Sequence, residues 1–113
     1  MKVIIAGGRN YQFTPACTAF LDKLHQSFQF TEVISGAAKG ADACGELWAK
    51  ANNLPVVKFR ADWSRGLKAG PIRNREMARY GHILVLFPGG RGSLSMLREA
   101  KACNLAIYQF KQG

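Results

Sequence analysis

Acidic side chains are scarce in this sequence: 7 Asp and Glu stand against 16 Lys and Arg, for a formal net charge of +9. That balance implies attraction to anions, whether nucleic acid, nucleotides or an acidic partner surface, and charge alone does not separate these. Cysteine is sparse, odd in number and scattered at Cys17, Cys44 and Cys103, with no CxxC or Cys/His spacing of the zinc type. A disulfide framework and a structural zinc site are excluded, and buried, reduced thiols are expected. The two histidines, His25 and His82, have no companion at ligand or catalytic-triad spacing. Neither takes a chemical role, and no metal and no resident cofactor are expected.

Long apolar runs are missing as well. A membrane-spanning helix needs about 18 consecutive apolar residues and none occur, and the opening MKVIIAGGRNY has too short an apolar stretch for a secretory signal. A soluble, cytoplasmic protein without a membrane partner is the expectation. Repeats, low-complexity tracts and linkers are absent too, so residues 1–113 are expected to form one domain.

What is present is a regular alternation. Runs rich in aliphatic and β-branched residues at 2–6, 32–35, 55–59, 82–87 and 105–110 are nearly continuously apolar, as strands of a parallel sheet covered on both faces are. Longer helical stretches separate them. The first helix has Thr14 as its cap, Pro15 in its first turn and Phe20, Leu24 and Phe28 on one stripe. The second spans 39–52 with Ala43, Leu47 and Ala51 on one side, the third runs from Pro71 to about residue 80, and the last covers 93–104. The order β-α-β-α-β-α-β-α-β with right-handed crossovers predicts an α/β, Rossmann-like, doubly wound parallel five-stranded sheet, order 3-2-1-4-5, with helices on both faces.

In such a sheet ligands bind at the carboxyl ends of the strands flanking the order reversal, here the first and fourth. Glycine-rich turns follow both: Gly7, Gly8 and Arg9 after the first, and Pro88, Gly89, Gly90, Arg91, Gly92 and Ser93 after the fourth. Glycine lets backbone N–H groups approach an anion closely, and Ser93 adds a hydroxyl beside the positive end of a helix dipole. The pattern predicts a phosphate cradle. Arg9 and Arg91 are candidate phosphate partners, with plain solvent exposure as the competing account. Arg73 and Asn74 fall in the first turn of the third helix, where they can reach a phosphate or ribose. Trp63 either stacks on a base or pins its loop to the core, and Trp48 packs. For Asp42 and Glu46 the ordinary account is surface pairing, Lys39 with Asp42 and Glu46 with Lys50.

Four stretches, GGRNY at 7–11, SGAAKGAD at 35–42, DWSRGLKAGPIRNREM at 62–77 and FPGGRGSLSM at 87–96, resemble the SLOG superfamily of Rossmann-like proteins. That superfamily includes the LOG phosphoribohydrolases and DprA, and the match is closest to its small YspA/YpsA-related branch. The resemblance implies a nucleotide or nucleotide-derived ligand, sensed or sequestered, on the PGGxG[ST] loop, with Ser93 where threonine is usual. It extends the candidate ligand-binding set to Ser35, Gly36, Lys39, Gly40 and Asp42. LOG enzymes carry a glutamate three residues after that threonine; the matching position here is Met96, and Glu99 lies nearly a turn further on. Loss of that carboxylate weakens a hydrolase reading, because an oxocarbenium-like transition state needs one nearby. An N-glycosidase working through Asp42 or Glu46 remains one alternative. A DprA-like binder of single-stranded nucleic acid is another, and a homo-oligomer is expected by the same resemblance.

Overall fold

The computed structural model describes residues 1–111. The chain runs β1 (Lys2–Ala6), α1 (Pro15–Phe28), β2 (Glu32–Ser35), α2 (Ala41–Ala51), β3 (Val56–Lys58), a 3-10 segment (Trp63–Lys68), α3 (Ala69–Tyr80), β4 (Ile83–Leu86), α4 (Arg91–Ala102) and β5 (Ala106–Gln109). All strands are parallel in the order β3-β2-β1-β4-β5, as expected from the alternation. Ile4 pairs with Ile34 on one side and Leu84 on the other, so the most continuously apolar strands occupy the centre.

Alternate side chains of each strand serve opposite faces. Val3, Ile5, Val33, Ile83 and Val85 pack with Leu21 of α1 and Trp48 of α2, while Ile4, Ile34 and Leu84 pack with Met77 of α3 and Met96 of α4. The two layers of helices therefore separate at the boundary between β1 and β4, where the strand order reverses.

Several boundaries and faces differ from the sequence expectation. The Ala43–Leu47–Ala51 side of α2 faces outward, and Leu47 is 68% exposed. The inner stripe is Ala41, Gly45 and Ala49 with Trp48; a Cβ at Gly45 would lie 2.6 Å from Ile5 Cγ2, so the helix rests on β1 more closely than a larger residue permits. Helix α3 begins at Ala69, and Pro71 still falls within the first turn, where its missing N–H removes no helical bond. Thr14 makes no side-chain cap to the helix backbone; its hydroxyl lies 3.4 Å from Cys17 Sγ. All three cysteines are free, with Cys17 buried but Cys44 and Cys103 only partly so.

One cluster of rings shapes the carboxyl edge. Phe87, directly after β4, is 1% exposed and sits among Tyr11, Phe13, Phe20 and Phe110, with the Phe13 centroid 4.5 Å away. This packing holds the long β1–α1 connection down on the sheet and presents Gly7 and Gly8 at its edge.

Candidate functional site

Three turns meet at the carboxyl edge through one residue, Gly8. The Gly8 N–H donates to the Pro88 carbonyl at 2.9 Å, and the Gly8 carbonyl accepts from Ala41 N at 3.1 Å and Tyr11 N at 3.2 Å. The expected convergence of the two glycine loops is present, with the β2–α2 turn joined to it. Contact is so close that a Cβ at Gly7 would lie 2.7 Å from Ala41 Cβ, and one at Gly89 would lie 2.6 Å from Gly8 N. Gly40 has φ +71, and a Cβ there would meet Gly8 O at 2.2 Å. Gly40 holds backbone against backbone, Gly7 makes room for the Cβ atoms of Ala41 and Phe87, and Gly89 makes room for Ser93 Oγ as well as Gly8. The Gly8 amide hydrogen is thereby committed within the fold and does not face an anion, a detail the sequence pattern did not reveal.

Gly90 and Gly92 are different. A Cβ on either would meet nothing within 4 Å, so the fold itself does not require glycine at these positions. They begin α4, whose first residues are Arg91, Gly92 and Ser93 and whose N-cap, Gly90, supplies no side-chain cap. The helix starts two residues before the expected Ser93, which places the Ser93 hydroxyl inside the first turn. That hydroxyl is buried, with the residue 7% exposed, and Oγ has no hydrogen-bond partner among the described residues. A buried hydroxyl at an uncapped, positively polarised helix end is an arrangement suited to an anion.

A second group of polar side chains borders this turn. Arg73 Nη1 donates to the Gly36 carbonyl at 2.6 Å, and its Nε donates to Asn74 Oδ1 at 2.9 Å. Asn74 is 5% exposed and donates to Ser95 Oγ at 3.1 Å and, more distantly, to the Gly92 carbonyl at 3.5 Å. Asn74 is thus a positioning residue that ties Arg73 to the start of α4. Because α3 begins earlier than expected, both residues sit in its second turn.

Asp42, 7% exposed, accepts from Ala38 N at 3.3 Å. Burial pushes its pKa above the usual 3.8, against the lowering effects of the Ala38 N–H and the Arg73 charge, and nearby Glu46 raises it further. The Arg73 pKa is lowered by burial, raised by Asp42 and lowered again by the like charge of Arg9. Arg73 thus feels two charges, the attractive one of buried Asp42 and the repulsive one of Arg9, whose own side chain is exposed.

The pKa of Asp42 sets a sign. A carboxyl that holds its proton more tightly when folded adds stability near and below pH 3.8, and loses that contribution as pH rises through its raised folded value. Wild type should therefore lose stability relative to Asp42→Asn as the pH rises above 3.8, measured by denaturant titration at a series of pH values; a difference that is flat with pH refutes the assignment.

Other sequence candidates are placed as follows. The Ser35 hydroxyl donates to Glu46 Oε2 at 2.6 Å and accepts from Ala37 N at 3.0 Å, so it works inside the β2–α2 turn. Glu46 pairs with Lys58 at 3.5 Å and not with Lys50, and Asp42 faces Arg73 and Ala38 and not Lys39; the expected surface pairs are replaced by contacts that brace the turn. Lys39, Pro88 and Arg91 are exposed. Trp63 is 55% exposed, its ring edge 3.5 Å from where a Gly70 Cβ would stand, and Trp48 packs with its Nε1 donating to Asp22 at 2.9 Å. Met96 is 2% exposed in the core, and Glu99 pairs with Arg75 at 3.3 Å. Ser95 is the polar residue the sequence reading missed; its only signal was a small hydroxyl residue between Leu94 and Met96.

A family model described as the YspA, cpYpsA-related SLOG family matches residues 1–66, which carry β1, β2 and the two turns that meet at Gly8 and Gly40. The chain belongs to this SLOG family. It is also similar to the Gene 61 protein of Mycobacterium phage D29, with 35% identity over an alignment of 119 residues that spans 96% of this chain and 95% of that protein. In this SLOG chain no helix among the described residues is long and apolar enough to cross a membrane, and no three or more His, Cys, Asp or Glu side chains among them gather to hold a metal ion.

Proposed function

We propose that this SLOG protein binds a nucleotide or nucleotide-derived ligand, with a phosphate seated on the 88–93 turn and the first turn of α4. The observation that carries the reading is the Ser93 hydroxyl, buried and unpartnered among the described residues at a helix start that no side chain caps. Gly90 and Gly92 keep the approach open, and Arg73 with Arg9 supplies positive charge beside it. Gly7, Gly8, Gly36, Gly40 and Gly89 serve this site by letting its turns pack, and Asn74 by orienting Arg73. SLOG membership is consistent with a nucleotide-related ligand. With Met96 in the core where LOG enzymes have glutamate, the reading is one of binding without turnover.

Calorimetric titration with nucleoside mono- and diphosphates tests this. Binding should be present in wild type and about tenfold weaker in Ser93→Ala, in line with one hydrogen bond to a charged group; no binding of any phosphate compound sinks the reading. Cleavage of an N-glycosidic bond is the second reading, favoured by one observation, the buried Asp42 with its raised pKa beside Arg73. Release of free base from a nucleoside monophosphate, abolished in Asp42→Asn, is its signature.

A further inference from the structure

We infer that the free edge of β3, together with the outer flank of α2, receives an extended acidic segment of a partner protein that adds to the sheet as a further strand. This surface lies at the opposite end of the sheet from β5 and on the opposite face from α4, so it stands apart from the phosphate turn. The strand edge is its first component. β3 pairs with β2 alone, and the bonds between them use alternate peptide groups: the Val33 N–H donates to the Pro55 carbonyl at 2.9 Å and the Phe59 N–H donates to the Ser35 carbonyl at 2.8 Å. The N–H and C=O groups of Val56 and Lys58 therefore point off the sheet, and no described residue pairs with them.

Beside that edge lies a groove of about 590 Å³, lined by Leu47, Leu54 and Val56 together with Glu46, Lys50 and Lys58. Leu47 is 68% exposed, so α2 carries a large apolar side chain that the sheet does not cover. The charge of the groove selects its occupant. Glu46 is committed within the fold, Oε2 to the Ser35 hydroxyl and Oε1 to Lys58, whereas Lys50 is exposed and has no ion pair among the described residues. Two cations against one engaged carboxylate favour acidic side chains, and they oppose a second copy of this chain, which itself carries a net charge of +9. Val56 and Lys58 are two apart and project to the α2 face, so a strand laid against them places an apolar residue opposite Val56 and an acidic one opposite Lys58. Main-chain bonds give affinity that any extended segment shares; the spacing of apolar and acidic side chains gives the choice of segment.

The probe is a capped peptide with threonine at odd positions and valine, glutamate and valine in turn at the even ones, added to the full chain. Amide hydrogen exchange and chemical shifts are followed by NMR. Saturating peptide should slow exchange at Val56 and Lys58 by about tenfold or more. The Ile107 and Gln109 amides, which point off the other edge of the sheet, should not change. Exchanging the glutamate for lysine should weaken binding about tenfold, and Leu47→Ser should do the same to the acidic peptide without altering the melting temperature. Lys50→Glu should shift the preference toward the lysine peptide. No protection at Val56 and Lys58, equal affinity for the two peptides, or changes confined to β5 would overturn the inference. Protection that rises with protein concentration before any peptide is added would also overturn it, because the occupant would then be a second copy. None of these outcomes bears on phosphate binding.

Discussion

Gly40→Ala is expected to lower stability by about 3–5 kcal/mol, through backbone strain and overpacking together. Left-handed backbone costs an alanine about 1–2 kcal/mol over glycine. The added carbon would also stand 2.2 Å from Gly8 O and 2.4 Å from Arg9 O, and both atoms are backbone. Gly8 has no room to retreat, since its N–H is bonded to Pro88 and its carbonyl to Ala41 and Tyr11. For a domain of this size the melting temperature should drop by roughly 12–20 °C, read by scanning calorimetry. Gly92→Ala supplies the contrast. Its Cβ would meet nothing within 4 Å, so stability should change by no more than about 0.5 kcal/mol. Phosphate-ligand affinity should fall instead, because the methyl group occupies the approach to the helix start. Equal stability losses in the two variants would refute the division of glycines into those that pack and those that leave space.

Arg73→Ala is expected to weaken nucleoside-phosphate binding by about thirtyfold to a hundredfold, the scale of charge-assisted hydrogen bonds to phosphate. Its guanidinium is oriented on two sides, by the Gly36 carbonyl and by Asn74 Oδ1, which leaves Nη2 for a ligand. The same substitution leaves Asp42 without its neighbouring cation, so some stability is lost as well. Adding Asp42→Asn separates the two effects. The double variant should regain stability, since no buried carboxylate remains uncompensated, and should still bind poorly. Arg73→Lys should recover only part of the affinity, because an ammonium cannot keep both orienting contacts and reach the ligand. Calorimetric titration of the three variants, with denaturant melts alongside, checks each statement; full binding by the double variant would exclude Arg73 from the site.

The topology was legible because aliphatic and β-branched residues dominate β1 and β4 while helical stretches separate every strand from the next, and right-handed crossovers then leave little freedom in strand order. The edge that carries the site was legible from where the glycines fall. The roles of individual glycines were not, since Gly89 and Gly90 are neighbours in sequence yet one touches Gly8 and the other touches nothing. Nor was the seated face of α2: Leu47 outweighs Ala41, Gly45 and Ala49 in any hydrophobic pattern, but close approach to Ile5 selects small residues. Ser35 and Glu46 look like a ligand group and a surface charge until the turn folds and pairs them. Such contacts join residues 11 apart through a bend that periodicity does not encode.

The meeting of three turns at Gly8 limits where this architecture tolerates insertions. Lengthening the segment after β1, β2 or β4 would pull that shared junction apart, so natural variation in size should gather in the stretch that carries Trp63 to Lys68 between β3 and α3. New specificities would then arise by enlarging that one segment while the junction stays constant.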